Sequence, residues 1–148
     1  MTSSAASLDT NTTLLEAWEW YAPADGKHYR RLTSACSSLK QIGINHLWLP
    51  PGCKAGHHGS NGYDTYDLYD LGEFEQKDGR RTKWGDIEEL MELKDEAGKQ
   101  GLGLMWDAVL NHKAAADYVE TCRAVAVDKE SKRSRGRKGT MLTRPQTD

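Results

Sequence analysis

Two helix-like stretches stand out in the pattern of hydrophobic and polar positions along the chain. From His28 to Ile42 the apolar residues recur every three or four positions, and Gly43 follows where a helix would end. The same spacing returns before Gln100, with Asp86 at the expected N-cap and a glycine after the last turn. The pattern therefore predicts two amphipathic helices, of residues 28–42 and 86–100.

Three apolar runs bounded by glycine or proline predict short buried strands. They cover residues 14–21, 44–51 and 102–110. Two helix-to-strand transitions, at residues 40–48 and 98–106, resemble each other. Both contain Lys-Gln, then a glycine, and both end in a tryptophan. Strands that alternate with helices in this way predict an α/β fold, with a parallel sheet covered by helices.

The segment from Gly52 to Lys83 is too polar and too rich in glycine to be predicted as core. It nevertheless holds a dense aromatic cluster, NGYDTYDLYDLGEF, at residues 61–74. A loop of this length inside a compact domain is usually either functional or disordered. Composition alone leaves both alternatives open for this segment.

The composition narrows the class of protein. The chain has 148 residues, 28% of them charged, and a net charge of −2. It therefore lacks the strongly basic composition of nucleic-acid-binding proteins and the composition typical of disordered chains. It has no signal-peptide pattern and no run of apolar residues that would span a membrane. Three widely spaced cysteines fit reduced thiols. These features predict a cytoplasmic protein without nucleic-acid or membrane partners.

Three polar residues interrupt the third apolar run or follow it. Asp107 lies inside the sequence MWDAVLNH, and Asn111 and His112 end it. Each alone is explained by hydrogen-bonded structure, since a buried carboxylate must find donors and polar side chains often cap a strand end. In parallel α/β sheets, however, binding sites form at the carboxyl ends of the strands. Their position thus indicates a site.

Taken together and in this order, the motifs resemble the N-terminal part of the α-amylase family, glycoside hydrolase family 13. NGYDTY, YDLYDLGEFEQK and the Asp-x-x-x-Asn-His pattern of Asp107, Asn111 and His112 carry the resemblance, which covers about residues 14–133. It is greatest to the liquefying-type α-amylases, including intracellular ones. The resemblance implies a (β/α)8 (TIM) barrel, of which this chain would supply about the first three β/α units.

The resemblance also implies roles for four residues. Tyr63 would be the aromatic platform under the sugar next to the scissile bond, and His112 would hydrogen-bond hydroxyls of that sugar. Asp107 would be a supporting residue that orients the strand end. Asn111 would give its amide oxygen to a structural calcium, whose site would be incomplete in this chain because calcium takes six to eight oxygen ligands.

Four aromatic or imidazole side chains near these motifs receive less specific predictions. Trp18 and Trp20 could face the sugar cleft, but packing is the predicted role for both. His57 and His58 are predicted to lie in a solvated loop, because adjacent histidines in an extended loop cannot point the same way. Cys53 is predicted to have no chemical role.

The expected organisation divides the chain into four parts. Residues 1–13 would be a polar leader, 14–113 the N-terminal part of the barrel, and 114–133 the start of the small inserted domain B. Residues 134–148 depart from the family pattern, and the basic character of residues 129–144 predicts a disordered tail.

The expected function is endo-hydrolysis of the α-1,4-glucosidic bonds of starch or glycogen by a retaining, calcium-associated enzyme that is a monomer when full length. Retaining glycosidases use two carboxylates about 5–5.5 Å apart. In this family both lie beyond the third strand, so this chain alone is expected to be inactive, with no catalytic residue of its own. The alternatives are another family member, such as an α-glucosidase or transglycosylase, a non-catalytic glucan-binding fragment, or a truncated gene product.

Overall fold

Three short parallel strands form the central sheet of the computed structural model, which describes residues 11–131 and 134–143. The elements in chain order are β1 (Leu14–Glu16), α1 (His28–Gln41), β2 (His46–Leu49), β3 (Lys54–Ala55), β4 (Thr65–Asp67), α2 (Ile87–Gln100), β5 (Gly103–Trp106), β6 (Glu120–Val127) and β7 (Ser134–Thr143). β3 pairs with β4 and β6 pairs with β7, both antiparallel.

The central sheet has the order β1-β2-β5, so each strand follows its neighbour after a helix. Leu15, Leu47 and Leu104 lie side by side in its parallel register. Leu47 and Leu49 of the middle strand are fully buried. The core joins this sheet to α1 and α2, which pack against each other. The predicted α/β class and parallel sheet are therefore confirmed.

Helix α2 begins and ends where the sequence predicts. The Asp86 side chain accepts a hydrogen bond from the backbone N–H of Glu89 at 3.0 Å, which satisfies one of the free donors of the first turn. At the other end Gly101 adopts a left-handed conformation with φ 67°, which glycine reaches without steric cost. Neither α1 nor α2, at 14 residues each, could cross a membrane.

The strands are shorter than predicted, most clearly at the third apolar run. β5 ends at Trp106, and the residues from Asp107 to His112 form no strand. The reason lies in β2, because Pro50 and Pro51 follow its last residue and proline has no N–H to donate. The last backbone hydrogen bond between the two segments, at 3.2 Å, joins the Asp107 N–H to the Leu49 carbonyl.

The polar segment between β2 and α2 contributes buried groups, although its composition did not predict core. It contains the small β3–β4 sheet and two almost fully buried charges, Lys54 and Asp70, with 2% and 0% of their surface exposed. The Lys54 ammonium lies 3.3 Å from the Asp70 carboxylate. Buried charges persist where such partners compensate them, so this segment is an ordered part of the fold.

The predicted disordered tail is wrong for Ser134–Thr143. These residues form β7, which pairs with β6 so that Arg123 faces Thr140 and Val125 faces Lys138. A ladder of backbone hydrogen bonds does not require apolar side chains, which explains why the basic composition was misleading. The hairpin crosses the expected boundary between residues 133 and 134. Residues 1–10 of the expected leader and 144–148 of the tail lie outside the described residues.

Candidate functional site

Tyr63 and Asp107 meet at the carboxyl end of the central sheet. Tyr63 comes two residues before β4, after a tight turn at Gly62, where φ is 100° and a Cβ would lie 2.5 Å from the Pro51 carbonyl oxygen. Only glycine fits this turn without strain. The Tyr63 hydroxyl donates a hydrogen bond of 2.5 Å to Asp107, the residue that directly follows β5. The structure thus brings the predicted platform and the predicted supporting residue into contact.

His112 reaches the backbone of the same tyrosine. Its Nε2 lies 2.8 Å from the Tyr63 carbonyl oxygen. A carbonyl can only accept, so Nε2 carries a proton and donates this hydrogen bond. Nδ1 is 3.5 Å from the Asn111 amide nitrogen, at the limit of a hydrogen bond. Nε2 of the exposed His112 therefore ties its ring to the Tyr63 backbone, and Nδ1 makes only the long contact with Asn111.

Aromatic rings flank Tyr63 on the other side. The Trp20 ring stacks on the Tyr63 ring, with centroids 5.7 Å apart and an interplanar angle of 15°, and 56% of Trp20 is exposed. Trp18 is tilted against Tyr63 at 6.0 Å and packs onto the buried Trp84. Packing is therefore the observed role of Trp18, as predicted, whereas Trp20 packs on Tyr63 and still leaves more than half of its surface exposed.

Trp20 and Tyr63 form the aromatic part of an open groove of about 490 Å³. The remaining lining residues are small or polar: His57, Gly59, Ser60, Asn61 and Asp64. Ligand sites of this size combine apolar surface with a few placed polar groups. An aromatic face bordered by hydroxyl, amide and carboxylate groups suits a pyranose ring, which has an apolar face of C–H groups and a rim of hydroxyls.

A network that the sequence analysis missed holds the Trp20 backbone. The carbonyl of Trp20 accepts from the Asn61 amide at 3.1 Å and from the Lys83 ammonium at 3.2 Å. Lys83 also donates to Asn61 Oδ1 at 2.5 Å. Burial lowers the pKa of Lys83, with Glu19 opposing the shift. Two partly or fully buried polar side chains thus fix the outer aromatic ring of the groove.

The two adjacent histidines behave differently from each other. His57 is exposed, as predicted, and lines the groove. His58 is half-buried, and its Nδ1 lies 3.0 Å from the Arg81 carbonyl oxygen, so the prediction of a solvated side chain is wrong for it. Cys53 is half-buried and free, and burial is the largest cause that raises the pKa of its thiol.

The hydrogen bond to Asp107 gives a testable titration. Burial, followed by the bond to Asp107 and its charge, raises the pKa of Tyr63 to about 12 from 10.0. Because the folded value exceeds the unfolded one, neutral Tyr63 adds stability below pH 10 that is lost as the pH rises toward 12. We expect Asp107→Asn to lower the Tyr63 pKa, measured by carbon NMR of labelled tyrosine.

Tyr66 provides the control for this titration. Its hydroxyl donates to Asp117, which raises the pKa of Tyr66 independently of Asp107. The Tyr66 pKa should therefore be unchanged in the Asp107→Asn variant. A Tyr63 pKa that also stays at the wild-type value would contradict the role assigned to Asp107.

Asn111, the predicted calcium ligand, lies at the surface. Asn111 is exposed and supplies one amide oxygen, whereas calcium takes six to eight oxygen ligands. In the described ranges, no group of three or more His, Cys, Asp or Glu side chains is placed to hold a metal ion. Asn111 could therefore be only one ligand of a site that other groups would have to complete.

Comparison with known proteins extends these observations. The family model for the α-amylase catalytic domain matches residues 29–135. The chain is 43% identical over 119 residues to a glucan 1,4-alpha-maltohexaosidase of Bacillus sp. (strain 707), which covers 80% of this chain and 23% of the relative. It is also 41% identical over 123 residues to the cytoplasmic alpha-amylase of Escherichia coli (strain K12). That alignment covers 82% of this chain and 25% of the relative. The chain thus spans about a quarter of the length of these relatives.

The fold is shared with solved enzymes of low sequence identity. A truncated alternansucrase from Leuconostoc mesenteroides NRRL B-1355 superposes with a TM-score of 0.76 at 20% identity, over 90% of this chain and 13% of the other. The central sheet and its two helices form part of a (β/α)8 barrel. Since the family model covers most of the chain and agrees with its motifs and fold, the chain belongs to the α-amylase family, glycoside hydrolase family 13.

Proposed function

We propose that this chain forms the glucan-binding part of an α-amylase that hydrolyses internal α-1,4-glucosidic bonds of starch or glycogen. The observation that carries the proposal is the threefold fixation of Tyr63. Its ring stacks on Trp20, its hydroxyl donates to Asp107, and its carbonyl accepts from His112. A platform held in this way binds a rigid ring with little loss of side-chain entropy.

In this proposal the Tyr63 ring covers the apolar face of the sugar next to the scissile bond. His112 would accept a hydrogen bond from a sugar hydroxyl through Nδ1, since Nε2 already donates a hydrogen bond to the Tyr63 carbonyl. Such bonds strengthen as the sugar flattens toward an oxocarbenium-like transition state. Trp20 and the polar groups of the groove would contact a neighbouring sugar. Asp107 keeps the tyrosine ring in place.

The chemical step is proposed for the whole protein. A retaining glycosidase needs a nucleophile and a general acid/base, and the family places both on strands after the third. The 148-residue chain should therefore bind glucan without cleaving it. Asn111 would contribute one oxygen to a calcium ion that steadies this region. We also propose that the full-length protein is a monomer, and that it is cytoplasmic by analogy with the E. coli relative, which is named cytoplasmic.

A direct test measures binding and hydrolysis on the same sample. We expect the purified chain to bind maltohexaose saturably in isothermal titration calorimetry, and to release no reducing sugar from starch over hours. Cellohexaose, with β-linkages, is the matched control and should bind much more weakly. Failure to bind maltohexaose would refute the proposed binding role, and hydrolysis by the chain would refute the absence of catalytic groups. Glucose or transfer products from a longer form would favour an α-glucosidase or transglycosylase.

A further inference from the structure

Lys77 connects the segment after β4 to the segment that follows His112. Its ammonium nitrogen lies 2.7 Å from the Ala115 carbonyl oxygen and 2.7 Å from the Asp117 carboxylate. It also lies 4.1 Å from the centroid of the Tyr66 ring, at cation–π distance. The Tyr66 hydroxyl donates to the other Asp117 oxygen at 2.9 Å. One side chain thus contacts three groups on two segments.

These contacts belong to a series that runs from the candidate site outward. His112 bonds to the Tyr63 carbonyl, the Ala114 N–H donates to the Thr65 carbonyl at 2.7 Å, and Asp117 accepts from Tyr66. Residues 107–119 contain no helix or strand, so backbone ladders do not determine their position. This series, together with the buried Ala116 and the bond of Asp107 with Tyr63, therefore sets the position of the His112 segment, and Lys77 closes its outer end.

The backbone on both sides of the Lys77 contact adopts unfavourable conformations. Lys77 and Asp78 have φ angles of 51° and 71°, and Ala115 has 58°. Residues with a Cβ rarely occupy this region and remain there only where surrounding contacts hold them. The bond from Lys77 to the Ala115 carbonyl joins two of these positions directly. Its loss would allow both turns to relax.

We propose that Lys77 is a positioning residue, whose ammonium group holds residues 115–117 against Tyr66 so that the His112 ring stays bonded to Tyr63. Lys77 does not contact the groove, and its action on sugar passes through His112. This inference rests on the proposed glucan binding for its functional consequence. Its structural part, the fixed His112 ring, can be tested without any ligand.

The test compares Lys77→Met with wild type in two measurements. In nitrogen NMR, wild-type His112 should show the Nε2–H tautomer, and the variant a mixture of both tautomers. The Kd for maltohexaose should rise about three- to tenfold, as expected when one charge-assisted contact is lost. Lys77→Arg should largely restore the wild-type tautomer of His112 and the wild-type Kd. A guanidinium can also donate to a carbonyl and a carboxylate and stack on tyrosine.

Lys94→Met is the matched control, since Lys94 pairs with Asp95 on an exposed helix surface. It should change neither measurement. A variant Lys77→Met that loses thermal stability but keeps the wild-type tautomer and Kd would overturn the proposal, because its role would then be only structural. If Lys77→Met does not fold, Asp117→Ala replaces it, since Asp117 is exposed, and should shift the tautomer in the same direction. If wild type fails to bind maltohexaose, the proposed glucan binding is wrong. The His112 tautomer measured by NMR then decides alone whether Lys77 positions the ring.

Discussion

The Lys54→Met variant should lose about 3–5 kcal/mol of the free energy of unfolding, because it removes one partner of a buried ion pair. Lys54 and Asp70 are almost fully buried, with the ammonium 3.3 Å from the carboxylate. Methionine has a similar length and no charge, so it fills the space without compensating Asp70. The uncompensated carboxylate and the lost hydrogen bonds account for the expected size of the effect.

The hydrogen bonds of Lys54 show what methionine would lose in addition to the charge. Its ammonium donates to the carbonyls of Phe74, Gly79 and Arg80 at 3.2, 2.8 and 2.5 Å. All three belong to the polar segment between β4 and α2, which contains neither helix nor strand over residues 68–86. A single ammonium group thus satisfies three carbonyl acceptors that methionine would leave without this donor.

Urea denaturation at neutral pH measures this effect, and Lys94→Met serves as its control. Lys94 and Asp95 form an exposed pair, with more than 60% of both side chains accessible, so its loss should change stability by about 0.5 kcal/mol or less. A Lys54→Met variant as stable as this control would show that the buried pair makes no net contribution. Hydrogen exchange at Gly72 and Glu73 would show whether the loop opens first, since both N–H groups donate to Asp70.

Acid should remove the same contribution in wild type. Burial alone would raise the pKa of Asp70, but hydrogen bonds from Gln76, Glu73 and Gly72 and the charge of Lys54 lower it below 3.8. Because the folded pKa is lower than the unfolded one, the contribution is present above about pH 4 and is lost as the pH falls below it.

The sequence predicted most accurately the features that depend on local rules. The ends of α2 follow from Asp86 and Gly101, whose capping chemistry needs no tertiary information. The family resemblance implied that Tyr63 and His112 lie near one sugar, and the structure brings them into contact, whereas the bond from Tyr63 to Asp107 is known from the structure alone. Roles of these residues toward sugar and calcium remain predictions.

The features that the sequence did not predict depend on partners distant along the chain. Lys54 and Lys83 lie in a segment with polar composition, and only the folded structure shows that their ammonium groups are buried against carbonyl oxygens. Trp20 was predicted to pack within a strand of residues 14–21, whereas β1 ends at Glu16 and Trp20 lies beyond it. Composition describes a segment's average, and burial depends on what the fold places next to each residue.

Replacing Tyr63 with alanine should weaken maltohexaose binding at least about tenfold, which corresponds to about 1.4 kcal/mol. The variant removes the ring that Trp20 stacks on and with it much of the apolar surface of the groove. Large aromatic side chains in the middle of a binding surface often supply this much energy or more. Isothermal titration calorimetry measures the change, with circular dichroism to verify that the variant folds.

Two matched variants separate the ring from the other properties of Tyr63. Tyr63→Phe keeps the ring and loses only the hydrogen bond to Asp107, so it should bind within about threefold of wild type. Tyr69→Ala removes a tyrosine that is 83% exposed and does not line the groove, and it should bind like wild type. If Tyr63→Ala binds like Tyr69→Ala, the platform assignment is wrong. If Tyr63→Phe binds as weakly as Tyr63→Ala, the hydroxyl and its contact to Asp107, rather than the aromatic face, carry the affinity, because only the hydroxyl distinguishes phenylalanine from tyrosine.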